Sequence, residues 1–236
     1  MEDWKLEPAR DLGLPLGQRL RSVRRERGTL PWMFHLFCWS GARAALHVLH
    51  RLKIEGREHL PRTGPFILVA NHCSHLDTVV LGCALPWRLR PEAFPIAAGD
   101  AFFKTPAMAA LSALFVNALP MWRKGAVSHS LADLRARLNE GRCIYIIFPE
   151  GTRSRDGTMG PFKSGLGMIV AQTPVPVVPC RLWGTFQAMP PGKKLPRPGR
   201  VRLRIGKAMS FESTFNDRAG WDHIAKSIHE AVSGLG

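Results

Sequence analysis

Short, unbroken apolar runs recur along this chain, each closed by a small or polar residue. "GPFILVA" (64–70) and "RCIYIIF" (142–148) are continuous, as expected of strands buried on both faces. "AFPIAA" (93–98), "LFVNALPMW" (114–122) and "VPVVP" (175–179) read as further short strands, and "RVRLRIG" (200–206) alternates strictly, which predicts a half-exposed strand. Helical spacing fills the intervals. "TVVLGCAL" (78–85) predicts a helix that Asp77 is placed to cap, and a second helix falls near 106–113. In "SHSLADLRARLNEG" (128–141) Leu131, Leu134 and Leu138 share one face and Gly141 ends the helix; "GWDHIAKSIHEAVSGL" (220–235) closes the chain as another. Strands alternating with helices predict an α/β fold: a single-domain sandwich over 54–236, with a central mixed, largely parallel sheet flanked by helices.

The pattern before residue 54 is different. Residues 1–29 end in "RLRSVRRERGT", where Arg19, Arg21, Arg24, Arg25 and Arg27 are too dense to bury, so an exposed basic leader is expected. Residues 30–53 are rich in Trp, Phe and Leu between basic flanks, which suits an amphipathic helix lying in a membrane interface; the competing reading is a helix packed on the domain's own core. No stretch of 18 residues is both uncharged and strongly apolar, so a spanning helix is not expected. Arg43 and two histidines interrupt 30–49, while Asn117 and Pro120 break the uncharged run 106–122. The opening "MEDWKLEPARDLG" has no apolar core, which argues against a secretory signal.

A length of 236 residues permits one large α/β domain, and the formal charge of +15 calls for an anionic partner: nucleic acid, anionic lipid or a phosphorylated metabolite. Against nucleic acid, the aromatics cluster with aliphatics rather than with basic residues. The five cysteines are scattered and form no CxxC pair, which disfavours a disulfide framework or zinc site and fits a reducing cytoplasm.

Two polar clusters follow the two most apolar strands, where α/β sheets collect their chemistry. In "NHCSHLD" (71–77), His72 and Asp77 stand five residues apart across a strand-to-helix turn. A carboxylate on one ring nitrogen fixes the tautomer and leaves the other nitrogen to accept a proton from a substrate hydroxyl. Three other readings stay open: metal ligation by His72, His75 and Asp77, a nucleophilic Cys73, or a turn-capping histidine beside an ordinary N-cap aspartate. "FPEGTRS" (148–154) places Glu150, Gly151, Thr152 and Arg153 in a tight turn. Gly151 allows close approach, Thr152 offers a donor, and Arg153 presents a planar fork suited to phosphate or carboxylate. Glu150 would accept from a substrate hydroxyl or position Arg153. Arg123, Lys124, Lys104 and Lys163 are further cations that could face the same anion, although each is also an ordinary surface charge.

Together these blocks resemble the glycerolipid acyltransferases, the lysophospholipid and 1-acyl-glycerol-3-phosphate acyltransferases. "NHCSHLD" is similar to that family's Asn-His-x4-Asp block and "FPEGTRS" to its third, about 70 residues on, with "FVNALPMWR" (115–123) and "VPVVP" in the places of the second and fourth. The likeness runs from about residue 30 to 209. In the second block this chain has Asn117-Ala118-Leu119 where the family often has a glycine before the apolar pair, which bears on the acceptor lipid. The resemblance implies His72 as general base, Asp77 as its partner, and Glu150, Gly151, Thr152, Arg153 and Arg123 around the acceptor's glycerol phosphate. It implies a thioester of coenzyme A or acyl carrier protein as co-substrate, no metal or redox cofactor, and a phospholipid surface as partner. The implied reaction acylates a lysophospholipid, foremost 1-acyl-sn-glycerol 3-phosphate giving phosphatidic acid, at the cytoplasmic face of a cell inner membrane, peripheral or monotopic.

Overall fold

The fold is taken from a computed structural model, which describes residues 13–20, 22, 25, 29–122, 127–193 and 195–236. In chain order the elements are α1 (Leu16–Arg19), α2 (Thr29–His50), β1 (Lys53–Glu55), β2 (Phe66–Ala70), α3 (Leu76–Ala84), β3 (Ala93–Ala98), α4 (Gly99–Phe102), α5 (Pro106–Phe115) and β4 (Leu119–Met121). They continue as α6 (Val127–Glu140), β5 (Ile144–Ile147), α7 (Gly165–Val170), β6 (Val177–Trp183), α8 (Thr185–Ala188), β7 (Arg202–Ile205) and α9 (Arg218–Ser233). Among the described residues the strands form one sheet of order β1-β7-β6-β2-β5-β3-β4. Every neighbouring pair is parallel except β6 and β7. This is the flanked, largely parallel α/β sheet that the alternation of runs predicts.

The two continuous runs take the centre. Each residue of β2 and β5 is buried, because apolar clusters cover both faces of the sheet. On one face, Trp39 and Leu46 of α2 and Val80, Leu81 and Ala84 of α3 pack on Phe66, Leu68 and Ala70. Gly82 makes that packing possible, since a Cβ there would strike the Trp39 ring. On the other face, Leu131, Leu134 and Leu138 of α6 and Ile224, Ile228 and Val232 of α9 cover Ile67, Val69 and Tyr145. Asp217 caps α9 by accepting from Gly220 N–H at 2.7 Å, an interaction worth about 1 kcal/mol.

Several boundaries differ from the sequence reading. "LFVNALPMW" divides: Leu114 and Phe115 finish α5, and only Leu119–Met121 pair as a strand. Asn117 makes the break, with a backbone φ of +57° that glycine and asparagine adopt most readily. Its side chain donates to Ala93 O at 2.9 Å and accepts from Arg25 at 3.0 Å. Arg25 is therefore buried rather than solvated, a correction to the exposed leader: its guanidinium is fixed by Asn117 and the Ala118 carbonyl. Arg21, Arg24 and Arg27 lie outside the described residues. β6 runs on past "VPVVP" to Trp183, and its later half carries the antiparallel partner β7.

Candidate active site

β2 and β5 are parallel neighbours in register, with Val69 opposite Ile147, so the clusters that follow them emerge side by side at one end of the sheet. Asn71 locks the first to β6. Its amide donates to Leu182 O at 3.1 Å, and its oxygen accepts from Leu182 N–H at 2.8 Å.

His72 and Asp77 meet as their spacing implies. The imidazole Nδ1 lies 2.9 Å from Asp77 Oδ2, and that same oxygen accepts from the N–H groups of Cys73 and Ser74 at 2.7 Å each. The carboxylate is fully buried while the imidazole keeps 17% of its surface exposed. Nδ1 must donate to an oxygen already holding two donors, so Nε2 is the acceptor nitrogen, and nothing among the described residues bonds to it. The ring also stacks on Phe148, with centroids 4.0 Å apart and planes 14° from parallel. Asp77 stands in the first turn of α3 rather than at the cap, which His75 occupies. Its carboxylate turns back to the preceding loop, so it orients the histidine instead of closing the helix.

Geometry separates the competing readings. His75 packs T-shaped against Phe102, 5.7 Å between centroids, while His72 is bonded to Asp77, so the three side chains do not converge as a ligand set. Among the described residues no group of three or more His, Cys, Asp or Glu is arranged to hold a metal ion. Cys73 is buried, 3.3 Å from the Thr185 hydroxyl. Burial, and then the charge of Asp77, push its thiol up to about 11, which leaves it protonated and unreactive at neutral pH.

The β5 loop closes over the histidine from its other side. Glu150 is buried and gives one oxygen to His72 N–H at 2.7 Å and the other to Gly160 N–H at 3.0 Å. Ser154 N–H adds a bond to His72 O at 2.8 Å. Both Glu150 oxygens thus meet main chain, and among the described residues neither is bonded to Arg153. Burial raises its acid while the two N–H donors pull the other way. Gly151 adopts φ +73°, and a Cβ there would sit 2.8 Å from Lys163 Nζ, so the lysine lies directly over the turn. Thr152 is exposed and Arg153 half-buried. Arg153 is near enough to His75 that, after burial, its charge is the next cause lowering that imidazole.

The model of the acyltransferase domain family matches residues 51–183, from the start of the sheet to the end of β6. The chain belongs to the acyltransferase family. A solved structure similar to it is that of the 1-acyl-sn-glycerophosphate acyltransferase PlsC from Thermotoga maritima, 27% identical, with a TM-score of 0.69 over 89% of this chain and 82% of that one. Among curated relatives, a chloroplastic 1-acyl-sn-glycerol-3-phosphate acyltransferase of Brassica napus is 32% identical over 73% of this chain and 49% of its own length. A 1-acyl-sn-glycerol-3-phosphate acyltransferase of Saccharomyces cerevisiae is 30% identical over 79% of this chain and 62% of its own. The chain spans about half the length of the first of these.

Of the site residues expected from the sequence, His72, Asp77, Glu150, Gly151, Thr152 and Arg153 come together at the ends of β2 and β5. Lys104 is exposed just after α4, two residues from the Phe102 ring that meets His75. Arg123 lies outside the described residues. The sequence reading missed Phe148 and Gly160. Phe148 was visible as the first letter of "FPEGTRS"; Gly160 acts through its N–H alone, and no residue pattern marks such a role.

Proposed function

We propose that the protein transfers an acyl group from an acyl thioester to the free hydroxyl of a lysophospholipid, foremost 1-acyl-sn-glycerol 3-phosphate, at a membrane surface. The observation that carries this reading is the His72 imidazole, held by Asp77 through Nδ1 while Nε2 has no hydrogen-bond partner among the described residues, beside a loop bearing Arg153. Nε2 takes the hydroxyl proton, and the oxygen attacks the thioester carbonyl. The C–S bond then breaks, and the imidazolium returns its proton to the departing thiolate. Asp77 stabilises the imidazolium that forms in between. Arg153, Thr152 and Lys163 surround the acceptor's phosphate, joined in this proposal by Arg123 and Lys104. Glu150 fixes the backbone of His72 rather than meeting substrate. The reaction as drawn requires no metal or redox group.

A lipid substrate suits the outer surface. Met33, Phe37 and Val48 form an exposed stripe along α2, with Phe37 79% and Val48 78% exposed. Leu111, Leu114 and Phe115 extend it across α5 through an edge contact of Phe115 with Phe34. Neither helix carries an acidic residue, and no helix among the described residues is long and apolar enough to cross a membrane. An uncharged two-helix face on a chain of net charge +15 suits peripheral or monotopic seating on anionic lipid, here assigned to the cytoplasmic face of the inner membrane.

The altered second block does not itself favour another acceptor. Asn117 is buried and bonded to Ala93 and Arg25, so in this chain the asparagine holds the turn between α5 and β4. A panel of lyso-acceptors in vesicles, each offered with one acyl-CoA and read by mass spectrometry, tests the reading. Phosphatidic acid should form fastest; preferential acylation of a lyso-aminolipid would reassign the acceptor, and no acylation of any lipid would end the proposal.

A further inference from the structure

At the β6-β7-β1 edge the sheet carries a cluster that the acyl-transfer site does not use. Leu182, Leu203 and Ile54 pack on the α2–α3 side, so alternation turns Arg181, Trp183, Arg202, Arg204, Lys53 and Glu55 to the opposite face. Register aligns Lys53, Arg202 and Trp183 in one row across three strands, and Glu55, Arg204 and Arg181 in the next. The guanidinium carbons of Arg202, Arg204 and Arg181 lie 4.6, 5.8 and 5.9 Å from the centre of the Trp183 ring. Residues far apart in the chain thus make a basic and aromatic surface that no linear motif displays.

Its charges are unevenly matched. Glu55, the carboxylate of the cluster, is engaged by Lys53 at 2.7 Å and Arg204 at 2.9 Å. Arg204 also donates to Leu235 O. Among the described residues Arg181 has no such partner: its Nε is buried without a hydrogen bond, and its Nη1 reaches the Met159 thioether, a weak acceptor. Arg202 is exposed, lies over the indole face and makes no side-chain hydrogen bond or ion pair among the described residues. A buried guanidinium donor without an acceptor is unfavourable, and an incoming anion removes that penalty. Two unneutralised guanidiniums around an indole suit a ligand that is both anionic and aromatic. A lipid phosphate or an acidic helix would use the charge and leave the ring idle.

The cluster also lies at the right end of the sheet. Ala70 pairs with Cys180, so Arg181 is level with Asn71, the residue before His72. Met159, which Arg181 contacts, precedes the Gly160 whose N–H holds Glu150. We propose that Arg181, Trp183 and Arg202 bind the nucleotide end of a coenzyme A thioester, which makes coenzyme A rather than acyl carrier protein the acyl donor. This deepens the acyl-transfer reading and rests on it. The donor's long arm would lead from the outer strands to the thioester beside His72.

Calorimetric titration of the full chain with adenosine 3′,5′-bisphosphate, which has neither arm nor acyl group, tests the site directly. Saturable binding is expected, weakened about ten-fold by Arg202→Gln, whose exposed side chain can change without loss of fold. The same variant should raise the KM for acyl-CoA about ten-fold while leaving acceptor KM and kcat unchanged. Trp183→Leu should act in the same direction. Arg218→Gln, which removes one exposed charge from α9, should have no effect. Equal weakening by Arg218→Gln, unaltered binding in Arg202→Gln, or displacement of the nucleotide by phosphatidylglycerol vesicles would overturn the assignment. So would tighter binding of a single-stranded oligonucleotide than of the bisphosphate. Nucleotide binding that obeys these variants, in a protein that acylates no lipid, would uphold the site and sink the acyl-transfer reading instead.

Discussion

Between Asn71 and Asp77 the loop after β2 ties its polar side chains into the protein, whereas Thr152 and Arg153, on the loop after β5, make no side-chain hydrogen bond among the described residues. Asp77 collects three donors on one oxygen, and Ser74 of the same loop donates to Met189 O at 2.8 Å. Glu150 joins the loops, and it belongs to the closed side although it stands in the open one. Groups that move a proton must be fixed before substrate arrives, and fixed groups contribute most when no reorganisation accompanies reaction. Groups that seize a charged headgroup need their donors free.

Substitutions can break this contrast at graded points. His72→Ala removes the proton acceptor and should lower acyl transfer about 10³-fold with the fold intact, as followed by product formation beside circular dichroism. Glu150→Gln keeps the shape but offers one acceptor oxygen to two N–H groups. Displacing the His72 backbone should lower turnover by about 10²-fold, and denaturant titration should show a loss of about 1–3 kcal/mol. Arg153→Ala, on the open side, should act on affinity instead, raising the acceptor KM about ten-fold and leaving the donor KM alone. A change confined to the donor would misplace the acceptor seat. Cys73→Ala should leave turnover within about two-fold, since the thiol is buried and protonated.

The same contrast explains what could be read from the chain. β2 and β5 announced themselves because strands covered on both faces must be apolar throughout, and the His72–Asp77 contact was legible because its five-residue spacing closes a local turn. β1 was not, since "KIE" at a sheet edge carries no apolar run. Arg25 was misjudged because density of charge says nothing about a distant acceptor, here Asn117, 92 residues away. The role of Glu150 was hidden for a related reason. Its partners are main-chain N–H groups, which every residue but proline has, so only the fold shows which ones it meets.

A double-mutant cycle on kcat reads whether His72 and Asp77 act as one unit. If the carboxylate works only through the imidazole, Asp77→Asn should be slow by itself yet add nothing once His72 is alanine, so the double variant should match His72→Ala. Losses that multiply, or a His72→Ala protein that turns over at near the native rate, would contradict the account.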